Sequence, residues 1–284
     1  MRLASFRYRG HIGFGVVEGD GIIDISARFP GTTLRGLLPE PDRIRDASAH
    51  GELFPGGAIE WLPPVTDPGR IFCVGRNFKR AMATLGLERP DYPILFTRFA
   101  SSHVGHRQPI VRPAVSEQFD YEGELCVVVG KAGRHIAEAD AFDHVAGYSC
   151  YNDGSVRDYQ RHTSQDTPGK NFWRSGAVGP WIVTRDEIAD PAELSLKTTL
   201  NGETVQSDRL DDLLFTVPKL LAYLSRIAPL EPGDLIALGT PLGSAINSNP
   251  QRWLRPGDEV SVTIDRIGTL TNRVVDEAEL VAAA

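Results

Sequence analysis

The stretch Asp120-Tyr121-Glu122-Gly123-Glu124-Leu125-Cys126-Val127-Val128-Val129-Gly130 puts two carboxylates at the entrance of an apolar, β-branched run that reads as a buried strand closed by glycine. Side chains alternate in face along a strand, so Glu122 and Glu124 share one face, about 7 Å apart along the chain. Like charges that close suit two arrangements. One is a solvated rim with both groups in water; the other is a shared hard cation, Mg²⁺, Mn²⁺ or Ca²⁺, that cancels their repulsion. A third acid, Asp153, follows a second aromatic and β-prone run, Tyr148 to Asn152, and precedes the polar and cationic residues Arg157, Gln160, Arg161 and Lys170. Asn152-Asp153-Gly154 is also a favoured tight turn, so Asp153 is either turn chemistry or a further member of the acidic group.

The elements that must position these residues follow from local pattern. Residues 2 to 25 fall into three β-prone pieces, which predict a three-stranded meander. Prolines 63, 64 and 68 interrupt any continuing element, so residues 63–69 read as a linker between a small N-terminal accessory domain, 1–62, and the chemistry-bearing part, 70–284. After the linker, Arg70 to Gly75 reads as a buried strand, and Arg76 and Arg80 flank the start of a short helix from Lys79 to Leu85, stopped at Gly86. Cations at such a passage are either anion contacts or a solvated helix start. His103 and His106 sit in a polar loop, and Lys170 in another. Val217 to Ile227 is the clearest helix, with Thr216 as N-cap, Pro218 in the first turn and apolar residues 217, 220, 221, 224 and 227 on one side. Many strands and few helices predict an α+β, mainly β packing. No Gly-x-Gly-x-x-Gly opens a helix and no phosphate loop is present.

Composition narrows the function. With 284 residues, 41% hydrophobic and 24% charged, the chain is long enough to bury a large core. Its net charge of −7 argues against nucleic acid, so a small anionic substrate needs local cations. The start lacks a stretch of signal-peptide length and no run reaches a membrane span, which reads as a cytoplasmic protein with no membrane partner. Cys73, Cys126 and Cys150 all fall in apolar runs and predict buried thiols.

Read together, residues 70 to about 275 resemble the fumarylacetoacetate hydrolase family. The landmarks are Cys73-Val74-Gly75-Arg76-Asn77-Phe78, Asp120 to Leu125, Asn152-Asp153 with Arg157-Asp158-Tyr159-Gln160, Gly169-Lys170, Gly179-Pro180-Trp181, Leu200-Asn201-Gly202-Glu203, Pro232-Gly233-Asp234 and Gly239-Thr240-Pro241. The resemblance implies a mixed β-sandwich roll, a homodimer, and Mg²⁺ or Mn²⁺ held by Glu122, Glu124 and Asp153. It also implies substrate contacts from Arg157, Gln160, Lys170 and Thr240, to which Arg76 adds a cation at the strand-to-helix passage. A 2-oxo or 1,3-diketo acid can chelate such a metal, and C–C cleavage, decarboxylation and isomerisation all pass through an enolate that the metal and the Lys170 ammonium stabilise.

One departure stands out. Many members carry a His and, three residues on, a Glu in the helix after the Arg-Asn landmark; lined up on Gly75 and Gly86, those places are Ala81 and Thr84 here. Trp173 stands where relatives often have Asp. The leading expectation is carbon–carbon hydrolysis of an acylpyruvate-type 2-oxo acid from aromatic degradation, with His103 or His106 as the replacement base. The second is an isomerase or decarboxylase of a 2-hydroxydienoate diacid, and the third a catalytically silent metal- and ligand-binding protein.

Overall fold

The computed structural model describes residues 1–281, so the last three residues of the expected second part lie outside the described residues. The fold is α+β and mainly β, as expected. A twelve-stranded mixed sheet packs against a five-stranded one, with a two-stranded ribbon beside them. The central strand, Gly123–Val129, is apolar at every position but Glu124 because both of its faces are covered. Leu125, Val127 and Val129 meet the second sheet through Leu196, Val260 and Val262, while Cys126 and Val128 join a cluster with Ile71, Cys73 and Leu235. All three cysteines are buried free thiols.

Pairing brings four strand ends to one edge of the site. Gly123–Val129 pairs antiparallel with Val145–Asn152, opposing Gly123 to Asn152, and with Leu235–Ala237, opposing Cys126 to Ala237. Leu235–Ala237 in turn runs parallel to Ile71–Gly75. Residues Glu122 to Glu124, Asn152-Asp153, Gly239-Thr240 and Gly75-Arg76 therefore leave the sheet at the same end. Gly239 makes this possible with a φ of 95°; a Cβ there would lie 2.7 Å from the Val74 carbonyl oxygen.

The N-terminal meander forms as predicted, over Arg2–Tyr8, His11–Glu18 and Gly21–Asp24. It does not stand apart in space. Arg2 and Leu3 pair with Val183 and Ile182, so the meander extends the main sheet, and Leu3, Phe14, Leu34 and Ile44 share one apolar cluster with Ile71, Tyr151 and Leu235. The short helix Pro41–Ser48, which covers that cluster, has only Ile44 and Ala47 buried, too few to give a readable period. Helix Val217–Ile227 appears within its expected bounds, but the Thr216 hydroxyl makes no capping hydrogen bond, and Ile227, at the rim, is exposed. Among the described residues no helix is long and apolar enough to cross a membrane.

Because the meander and the main sheet share one core, Leu3→Ala is expected to lower stability by about 3 kcal/mol. Thermal unfolding followed by circular dichroism should give one cooperative transition at lower Tm, not the loss of a separate early step.

Candidate active site

Glu122, Glu124 and Asp153 converge as the sequence suggested: one carboxylate oxygen from each lies within 4.8 Å of the other two. Asp153 and Glu124 are buried, and the Glu122 side chain is 12% exposed. The backbone fixes the cluster, since the Asp153 amide donates to the Glu122 carbonyl at 2.8 Å and the Glu122 amide to Asn152 Oδ1 at 3.1 Å. Glu124 is held by the Gly239 amide, 2.7 Å from Oε2.

Three buried cations surround the acids. Lys170 Nζ donates to Glu122 Oε2 and Asp153 Oδ2, both at 2.6 Å, and to Ser155 Oγ at 2.8 Å. Arg157 donates through Nη2 to Glu122 Oε1 at 2.6 Å, through Nε to Asp120 Oδ2 at 2.8 Å and through Nη1 to Gln160 Oε1 at 2.9 Å. Arg98 approaches from behind and donates to Asp153 Oδ1 at 2.5 Å and Ser175 Oγ at 2.8 Å. Burial alone would raise the carboxyl pKa values. For Glu122 that rise is outweighed by Arg157 and Lys170, and for Asp153 by Lys170 and Arg98, so both sit below the usual carboxylate range. Glu124 has no cation in contact. Burial, then the charges of Asp153 and Glu122, push it well above that range. Burial works against the Lys170 ammonium, but Asp153 and Glu122 hold its pKa above the ordinary value, so it stays protonated.

The cluster forms the floor of a cavity of about 650 Å³. Arg76, Arg157, Gln160, Lys170 and Thr240, five residues singled out in the sequence, all line it. Thr240 is anchored by donating to the Gly123 carbonyl at 2.9 Å and accepting from Gln206 Nε2 at 2.9 Å. Gln160 passes the network on, its Nε2 donating to Asp166 Oδ1 at 2.9 Å. Part of the lining is apolar: Leu85, Leu87, Ile94 and Phe96, with the Phe96 ring 4.9 Å from Lys170 Nζ. Ala81 packs against the core, Thr84 is exposed, and neither lines the cavity.

Two expectations are placed elsewhere. His103 lies outside the cavity, 2.5 Å from the Tyr151 hydroxyl through Nε2, with Nδ1 near the Phe99 carbonyl. Burial, then Arg98, hold its pKa well below the ordinary value, so the ring is a neutral packing element. His106 accepts from the Thr271 amide and also lies away from the cavity, its pKa lowered to about 4 by burial and Arg107. Trp173 is half exposed beside Arg174 and forms no cavity wall.

The sequence reading passed over Arg98 and Asp120. Arg98 is a lone arginine after a strand, with no spacing to betray that its guanidinium is fully buried. Asp120 lay in the key stretch, yet its task was hidden: it accepts from Arg157 and from the Ala245 and Ile246 amides, which requires a segment more than 120 residues away.

The donor set fits a hard divalent ion. Three clustered carboxylates, one of them pushed toward its neutral form by burial and then by its neighbours' charge, are relieved when a cation enters.

Residues 70–275 match the family model described as Fumarylacetoacetate (FAA) hydrolase C-terminal. The chain is similar to human "Oxaloacetate tautomerase FAHD2A, mitochondrial", 36% identical over 288 residues that cover 97% of this chain and 92% of that protein. Among solved structures it is similar to fumarylacetoacetate hydrolase from psychrophilic Exiguobacterium antarcticum, with TM-score 0.86, 33% identity and coverage of 98% of this chain and 100% of that one. It is also similar to maleylpyruvate hydrolase from Sphingobium sp. SYK-6 in complex with manganese (II) ion and pyruvate, with TM-score 0.82, 30% identity and coverage of 97% and 99%.

Glu124 must lose a proton to act as a ligand, and its pKa is raised, so divalent-ion binding should release protons and weaken as the pH falls through that range. Calorimetry of Mn²⁺ binding in two buffers of different ionisation enthalpy reads the released protons. Glu124→Gln should abolish the release and weaken binding about 10- to 100-fold.

Proposed function

The chain belongs to the fumarylacetoacetate hydrolase family, and from that premise we propose that it interconverts the enol and keto forms of an oxaloacetate-type 2-oxo acid with bound Mg²⁺ or Mn²⁺. The chain is an enzyme of this family, and its relatives bear the names of an oxaloacetate tautomerase, a fumarylacetoacetate hydrolase and a maleylpyruvate hydrolase. The choice among reactions rests on the two positions where many family members carry their base pair. Carbon–carbon hydrolysis needs a base to activate water, and the positions where many members carry their dyad are the core-packed Ala81 and the exposed Thr84. Tautomerisation consumes no water. The similar human protein, matched over nearly its full length, bears the name of a tautomerase. The hydrolysis expected from the sequence and the silent-protein reading both give way to this proposal, the latter because the cavity keeps Lys170, Arg157 and Gln160 together.

A divalent ion held by Glu122, Glu124 and Asp153 would supply Lewis acidity and counter-charge to a 2-oxo acid. The chain's own groups do the rest. Arg157, fixed by donating to Asp120 and to Gln160 Oε1, lines the cavity beside Gln160 and would pair with the substrate's 1-carboxylate. Lys170, among the described residues the one amine lining the cavity, holds its proton between two carboxylates and faces the Phe96 ring. Starting from the enol, Lys170 Nζ gives a proton to C3 and takes the proton leaving the 2-hydroxyl, so the enzyme is unchanged at the end of the cycle. In the reverse direction Lys170 Nζ gives a proton to the 2-oxygen as negative charge develops there and takes the proton leaving C3.

Enol oxaloacetate mixed with Mn²⁺-loaded protein should lose its ultraviolet absorbance faster than with metal alone, with no cleavage product by mass spectrometry. Two smaller acids would instead identify hydrolysis, and carbon dioxide a decarboxylase. Lys170→Met should slow the decay at least about 100-fold.

A further inference from the structure

We propose that Arg76 is the specificity-determining residue for a 2-oxo dicarboxylate, pairing with the carboxylate distal to the 2-oxo acid. The inference deepens the tautomerase reading and rests on its placement of the 2-oxo acid at the carboxylate cluster.

Location comes first. Gly239, whose amide holds Glu124, packs so closely that a Cβ on it would lie 2.7 Å from the Val74 carbonyl and 3.0 Å from Asn77 Cβ. Arg76 lies in the chain between these two residues and lines the cavity. Its backbone is left-handed, with φ of 54°, a conformation that non-glycine residues adopt at a cost and that the surroundings must enforce. Asn77 enforces it. Fully buried, its side chain donates to the Phe215 and Leu238 carbonyls at 3.1 and 2.8 Å and accepts from the Phe215 amide at 2.7 Å, while its own carbonyl accepts from the Leu214 amide at 2.7 Å. The chain thus leaves the strand in a fixed direction.

Partners come second. The neighbouring cations are engaged: Lys79 with the Asp211 carbonyl, Arg80 with Asp208 and Asp212. Arg161, also on the cavity wall, donates to Gln118 Oε1 at 2.6 Å. Among the described residues Arg76 has no ion-pair or hydrogen-bond partner.

Charge comes third. Around the cluster, Asp120, Glu122, Glu124 and Asp153 face Arg98, Arg157 and Lys170, which leaves one excess negative charge when all are ionised. A divalent ion turns that into one positive charge, matched by the single carboxylate of a 2-oxo monoacid. A second carboxylate, facing Leu85, Leu87 and Ile94, has no counter-charge from the cluster, and the unpartnered Arg76 guanidinium can provide it through a two-pronged pair.

The test uses two matched pairs of ligands with the Mn²⁺-loaded full chain. Malate and 2-hydroxybutanoate, which cannot enolise in this way, differ only by carboxylate against methyl and are compared by calorimetry; oxaloacetate and 2-oxobutanoate are compared by deuterium exchange at C3. Wild type is expected to prefer malate at least tenfold. Arg76→Gln should weaken malate about tenfold and leave 2-hydroxybutanoate within twofold, raising KM for oxaloacetate with kcat nearly unchanged. Arg76→Lys should retain part of the preference, and Arg80→Gln, the same charge change on an already paired residue, should retain all of it. The proposal is overturned if wild type binds malate and 2-hydroxybutanoate equally, if Arg76→Gln weakens both alike or neither, or if Arg80→Gln matches it. Absence of C3 exchange with a malate preference that Arg76→Gln removes would sink the tautomerase reading and leave the Arg76 assignment standing.

Discussion

Everything near the cavity depends on how buried negative charge is tolerated. Carboxylates from two adjacent strand ends are forced together where water cannot solvate them, and such charges persist only when paired. Arg98, Arg157 and Lys170 are the answer for Glu122 and Asp153, and each cation is itself fixed by further contacts: Ser175 behind Arg98, Asp120 behind Arg157, Ser155 beside Lys170. Glu124 is left without a cation of its own. That asymmetry distinguishes the cluster from a closed salt-bridge network and suits it to a divalent ion, because one carboxylate still lacks a positive neighbour.

The same asymmetry organises the cavity. Its floor is charged and rigid, since Gly123–Val129 and Val145–Asn152 hold it in mutual register, while its apolar lining comes from Leu85 and Leu87, just past a six-residue helix, and from Ile94 and Phe96 on the strand Ile94–Thr97. Polar groups that could bind or move protons sit on the floor; the other residues offer apolar surface.

Much of this was legible in the sequence, for reasons that can be named. An i, i+2 pair of acids before a β-branched run fixes a common face, and the meander and the helix Val217–Ile227 carry strong local periods. What stayed hidden was long-range. Nothing near Arg98 says that it will meet Asp153, 55 positions on, and nothing in the proline-rich stretch says that Arg2 will pair with Val183 across it. The histidines misled for the opposite reason: residue type suggested chemistry, but His103 points into packing against Tyr151, where burial keeps it neutral.

The burial of the central strand on both faces has an evolutionary consequence. Leu125, Val127 and Val129 belong to one core and Cys126 and Val128 to another, so nearly any substitution along the strand that carries Glu124 disturbs packing and costs several kcal/mol. The helix Lys79–Thr84 is exposed over most of its length, and changes at such positions usually cost less than about 0.5 kcal/mol. Divergence is therefore channelled: a lineage with this architecture can exchange residues of the exposed helix while the strand that carries the carboxylates stays frozen, and Ala81 and Thr84, where many family members carry an acid–base pair, are the kind of change that this freedom permits.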